Sequence, residues 1–115
     1  MERDVENLAR VLAVLVAEGN YTYVDKIGNA PSKDLLAFYL KEAMRDFHSI
    51  LRAGKVEKAG DLLERIKNDL KSADVTDFLN RSIENVVNYA KDRKSLREIC
   101  SMLSAKALAI SAKYI

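Results

Sequence analysis

Few residues in this chain have the chemistry to act as catalysts. His48 is the only imidazole, three residues after Arg45 and flanked by Phe47 and Ile50. Acid–base or nucleophilic catalysis needs convergent groups of tuned pKa, or a metal. Helical nucleases that pair an arginine with a histidine space the two more widely. His48 therefore reads as a surface or boundary histidine. Cys100 is the only thiol and falls on an apolar helical stripe, where a small buried hydrophobe is the expected role. One cysteine makes no internal disulfide, and no Cys/His spacing suits zinc. Gly28-Asn29-Ala30-Pro31 lacks the lysine and serine of a phosphate-binding loop. Carboxylates such as Glu57 and Asp61 sit among Lys58 and Arg65 at helical spacing, the pattern of a solvated face. No enzyme is expected, and no cofactor or metal.

Cations are the more informative group. Net charge is only +2, but it is unevenly spread. Residues 1–20 and 74–90 are each acidic, whereas residues 91–115 carry six bases against two acids. The excess gathers at Lys91, Arg93, Lys94 and Arg97. A helix starting near Ser95 would add its free N–H groups and dipole to those side chains, which makes a phosphate-contact site. A second cationic set, Lys41, Arg45 and Arg52, is spaced four and seven apart on one helix, diluted by Glu42 and Asp46. Tyr21 and Tyr23 could stack on bases, but in a small bundle they more often fill the core.

The elements that must position these residues are helical. At 115 residues the chain has room for one domain and one core. Hydrophobic residues at 49% and charged residues at 31% exclude a disordered chain. The apolar run from Val11 to Ala17 is far short of the ~20 residues of a membrane span. Glu2, Asp4, Glu6 and Glu18 around it do not suit a signal peptide. With one free thiol, a cytoplasmic location is expected.

Apolar spacing of three and four predicts an all-α single compact bundle of about five helices. Val5, Leu8, Leu12, Leu15 and Val16 trace the first helix, which Gly19 and Asn20 end. Residues 20–31 read as an irregular loop with a short extended piece, pinned by buried Tyr or Val side chains. Ser32 caps a second helix through Leu36, Leu40, Ala43 and Phe47, ending before Gly54. Gly54 and Lys55 alone join it to a third helix (Val56, Ala59, Leu63, Ile66, Leu70, with Lys71 outward), which predicts an antiparallel hairpin. Asp74 caps a fourth helix with Val75, Phe78, Leu79, Ile83, Val86, Tyr89 and Ala90 inward. After a polar hinge at 91–94, a Ser95–Glu98 capping box opens a fifth helix through Leu96, Ile99, Cys100, Leu103 and Ala107.

One stretch resembles a known family. Leu12 to Gly54 is similar to the small helical subunit of archaeal type I-A CRISPR effector (Cascade) complexes. The likeness lies in the apolar first helix, Tyr21-Thr22-Tyr23-Val24-Asp25, the Asn29-Ala30-Pro31-Ser32 helix start, and Arg45-Asp46. It covers about the first half of the chain. The resemblance implies a non-catalytic subunit of an RNA-guided antiviral complex, several copies side by side, bracing the assembly and touching guide RNA or target DNA by its backbone. Its partners would be the other subunits, not a membrane. Within the matched stretch Arg45 is the basic residue that would face nucleic acid. The alternative is a protein–protein adaptor without nucleic-acid binding, using off-stripe apolar residues such as Leu35, Phe38 and Val87.

Overall fold

From Val11 to Ala17 every residue is apolar, and every one is buried. A helix that is hydrophobic all round must lie inside the molecule rather than on it. In the computed structural model, which describes residues 1–54, 56–70 and 75–115, this first helix is the central rod. The described residues form α1 (Glu2–Ala17), α2 (Thr22–Gly28), α3 (Lys33–Ala53), α4 (Gly60–Leu70), α5 (Val75–Tyr89) and α6 (Arg93–Ser111), with a closing 3-10 turn over Ala112–Tyr114. All five other helices pack on α1, α6 most extensively. The result is all-helical, with extents of 38 × 29 × 20 Å.

Where sequence rules are strongest, the expected boundaries hold. Ser32 accepts a hydrogen bond from the Leu35 N–H at 3.2 Å and caps α3. Gly54 ends that helix with φ at 65°, in the left-handed region that glycine enters without steric cost. Gly19, with φ at 95°, does the same after α1.

Four expectations need correcting. The predicted loop at 20–31 contains α2, a helix of seven residues held by burial of Val24 and Ile27. Of its aromatic residues, Tyr21 is 52% exposed. Tyr23 is half-buried and donates its hydroxyl to Asp46 Oδ2 at 2.7 Å; burial, then that hydrogen bond, pushes its pKa up to about 12. The third predicted helix begins at Gly60 rather than near Val56, and α4 packs on α1 and α5 instead of pairing with α3. Tyr89, expected inward, is exposed. Of the predicted linker and cap residues, Lys55, Lys71 and Asp74 lie outside the described residues.

Glu18 supplies the physical reason for the position of α4. Its carboxylate, just past the end of α1, accepts the backbone N–H groups of Glu57, Lys58 and Ala59 at 2.7, 2.9 and 3.0 Å. Those donors precede the first turn of α4, so Glu18 acts as that helix's cap from another element. At the far end of α4, Asp69 pairs with Arg10 of α1. The two contacts fix α4 antiparallel to α1. Asp4 ties α1 to α5 in turn, accepting from the buried Ser82 hydroxyl at 3.0 Å and from Asn85 at 3.3 Å.

Burial opposes ionisation of Glu18, but the three backbone donors and the Lys58 charge together hold its carboxyl below its ordinary value of 4.5. Because the folded pKa is depressed, the stabilisation is present above the unfolded pKa and is lost as pH falls through the folded one. Glu18→Gln should cost about 0.5–2 kcal/mol at neutral pH, the range for losing a helix cap. Urea midpoints of parent and variant should converge as pH drops below the carboxylate range. A gap that stays constant into acid would show that ionised Glu18 is not the stabilising species.

Candidate nucleic-acid interface

The cationic segment at 91–97 lies on the surface, and the way its helix begins differs from expectation. Asp92, not Ser95, is the N-cap of α6. Its Oδ1 accepts the Ser95 N–H at 2.8 Å, and the Ser95 hydroxyl accepts the Asp92 N–H at 3.1 Å, a reciprocal capping box. Arg93 and Lys94 are therefore the first helical residues and not a hinge. The hydrogen bonds from Ser95, and to a lesser degree the Lys94 N–H, hold the Asp92 carboxyl below its usual range. This changes the electrostatic argument. The aspartate at the helix N-terminus opposes its positive end and takes up the Ser95 N–H, so the side chains carry more of any attraction for an anion here.

Those side chains divide into distinct places. Arg93 and Arg97, one turn apart on α6, line a groove of about 410 Å³ whose opposite wall is Gly28-Asn29-Ala30-Pro31. Leu96, Cys100 and Ser101 also line it, the first two buried. Lys91 and Lys94 are exposed nearby but do not line it. Lys41 lines a second groove between α3 and α5 with Arg81, Asp77 and Glu84, a mixture of both signs. Arg45 and Arg52 line the neighbouring cleft with His48 and Thr76. The structure thus divides both cationic sets: Arg93 and Arg97 share one groove without Lys91 and Lys94, and Lys41 stands apart from Arg45 and Arg52. All seven residues are exposed, and among the described residues none of them forms an ion pair within 4.0 Å.

The α2–α6 groove has a glycine in its wall. Its walls are held close because Gly28 has no side chain: a Cβ there would meet the Ser104 Cβ and Oγ at 3.1 Å. Sequence reading found the two arginines but missed the loop facing them. The available signal was the small residues Cys100, Ser104 and Ala107 on one face of α6, which let α2 approach.

The groups considered for catalysis sit in quieter settings. The His48 Nε2 lies 3.4 Å from the Thr76 hydroxyl, at the rim of the α3–α5 cleft. Cys100 is 2% exposed. Burial pushes its thiol up, and the Ala30 N–H offsets this only in part, which is the opposite of an activated thiolate. Among the described residues no three His, Cys, Asp or Glu side chains stand together as a metal site would require. No helix among them is long and apolar enough to cross a membrane.

Asp92 makes a discriminating prediction. Asp92→Ala should lower the urea midpoint by uncapping α6, yet strengthen binding of a polyanion roughly two- to fivefold by removing a carboxylate beside Arg93 and Lys94. Weaker DNA binding in that variant, with the fold intact by circular dichroism, would mean that α6 does not face the anion.

No family model and no solved structure matches the chain. A protein of Archaeoglobus fulgidus, described only as uncharacterized, is 51% identical, the match covering 94% of this chain and 88% of that one. The chain belongs to the same family as that archaeal protein.

Proposed function

We propose that this protein is a non-catalytic helical subunit of an RNA-guided, Cascade-type antiviral complex, bracing the assembly and laying cationic grooves against nucleic-acid backbone. The observation that carries this reading is the pair Arg93 and Arg97, exposed and without ion-pair partners among the described residues, on one wall of a concave groove. Guanidinium groups recognise phosphate in a planar, two-pronged geometry, and two in one groove suit a sugar–phosphate chain. The resemblance of Leu12–Gly54 to CRISPR small subunits supplies the class of assembly. Lys91 and Lys94 extend the field around the groove, Arg45 and Arg52 add a second contact region, and Lys41 stands in a third groove of mixed charge. In such complexes base pairing to the guide reads sequence, and the protein needs only shape and charge.

Fluorescence anisotropy with labelled DNA and RNA at stepped salt tests the binding half of this reading. Log affinity should fall linearly with log salt, by about 0.9 per phosphate contacted on duplex and 0.7 on single strands, without sequence preference. Absence of binding at low salt, or binding indifferent to salt, would reject it.

A second reading has one observation in its favour. Leu35 and Phe38, one turn apart on α3, are 37% and 53% exposed, as an adaptor surface would be. Val87, assigned to the same surface from sequence, is instead partly buried against the core. On this reading, assembly with partner proteins depends on Leu35 and Phe38 and is indifferent to Arg93 and Arg97.

A further inference from the structure

The α2–α6 groove has two halves of different character. Arg93 and Arg97 stand on one side of it with Ser101, while the facing loop brings Asn29 together with the apolar Ala30 and Pro31, and Leu96 and Cys100 behind them are buried. A phosphate group alone needs only the arginines. The space of about 410 Å³ is much larger than one phosphate, and it falls within the ~300–1,000 Å³ of small-molecule sites. Sites of that kind combine apolar surface with polar groups that fix orientation, and this groove offers both, with the polar share the larger. Backbone-tracking contacts, by contrast, are made from open cationic surface and require no apolar wall.

We propose that the groove seats a single nucleotide unit, its phosphate held between Arg93 and Arg97 and its base laid against the apolar wall that Ala30 and Pro31 present opposite them. The inference rests on the nucleic-acid reading above and sharpens it, since it makes one unstacked nucleotide, and not only the backbone, a recognised element. A base covers apolar surface that a phosphate cannot reach. Base contacts of this type are sequence-tolerant because every base has an apolar face. Gly28 is the structural precondition, because the close approach of α2 to α6 sets the distance between the loop wall and the two arginines.

The test is an NMR titration of the isotope-labelled full chain at low salt with three probes: inorganic phosphate, ribose 5-phosphate and uridine 5′-monophosphate. All three should shift the backbone amides of Arg93 and Arg97. Only the nucleotide should also shift those of Asn29 and Ala30, and it should bind about tenfold or more tightly than ribose 5-phosphate, the worth of one base contact. Arg97→Ala, a change at an exposed position, should weaken all three probes. The inference is overturned if the nucleotide and ribose 5-phosphate give equal affinities and the same shifts. Oligonucleotide binding measured alongside separates the two levels. Salt-dependent binding lost on removing Arg93 and Arg97, with a mononucleotide that behaves like phosphate, sinks this inference alone; no oligonucleotide binding sinks the wider reading as well.

Discussion

Replacing Arg93 and Arg97 together by alanine is expected to weaken DNA binding by at least tenfold at low salt and to flatten the salt slope by close to two units. The slope follows from counterion release, each phosphate neutralised contributing about 0.9 on duplex DNA. The affinity follows from the strength of hydrogen bonds to charged groups, about 1.5–3 kcal/mol each when well formed. Both side chains are exposed, so folding should be unaffected and the urea midpoint should match the parent. Lys91→Ala and Lys94→Ala are the natural controls. They lie beside the groove but not in it, so each should cost less affinity, from a weaker field and not a lost contact. If replacing the two lysines together costs as much as replacing the two arginines, the groove is irrelevant and only the total charge matters.

The largest effect on stability should come from the central helix. Leu12 is 1% exposed and sits in the stretch of α1 that is buried on every side. Leu12→Ala deletes its side chain from a site surrounded by other helices, where collapse into the void is limited. A loss of about 2–5 kcal/mol is expected, a large part of the ~5–15 kcal/mol that holds a domain together. Chemical unfolding followed by circular dichroism measures it directly. The same deletion at Leu108, 45% exposed on the outer face of α6, should change stability by less than about 0.5 kcal/mol. Equal costs at the two positions would show that α1 is not the core rod.

How much of this was readable in advance depends on where each feature gets its energy. The caps of α3 are local devices, Ser32 and Gly54 acting within a few residues, and they were legible. The spacing of Val5, Leu8 and Leu12 suggested one buried face of α1, whereas Val11–Ala17 is buried all round. Helix α2 was not legible. Thr22, Tyr23, Val24 and Ile27 have low intrinsic helix preference, and burial of Val24 and Ile27 by distant helices overrides it. At α6 two good capping residues, Asp92 and Ser95, compete three positions apart. The helix begins at the first, with the second answering it, so Arg93 and Lys94 became helical.

The candidate site was half legible for the same reason. Arg93 and Arg97 announced themselves as a charge excess at helical spacing. Their facing wall, Gly28 to Pro31, lies some sixty residues away in sequence and reaches them only because α2 packs on α6. No local pattern encodes that pairing. Nor does composition reveal that Asp92 opposes the positive end of the helix, which moves more of the attraction for an anion from the backbone to the guanidinium groups.

The central claim is that the chain lends shape and positive charge to a larger nucleic-acid machine and breaks no bonds itself. Its most direct test is purification of the tagged full-length protein from its native cells at mild salt, with sequencing of the nucleic acid and identification of the proteins that accompany it. The account predicts short guide RNAs together with larger subunits, an association that weakens when Arg93 and Arg97 are both replaced. Recovery of the chain free of RNA and partners, or turnover of a substrate by the purified polypeptide, would contradict it.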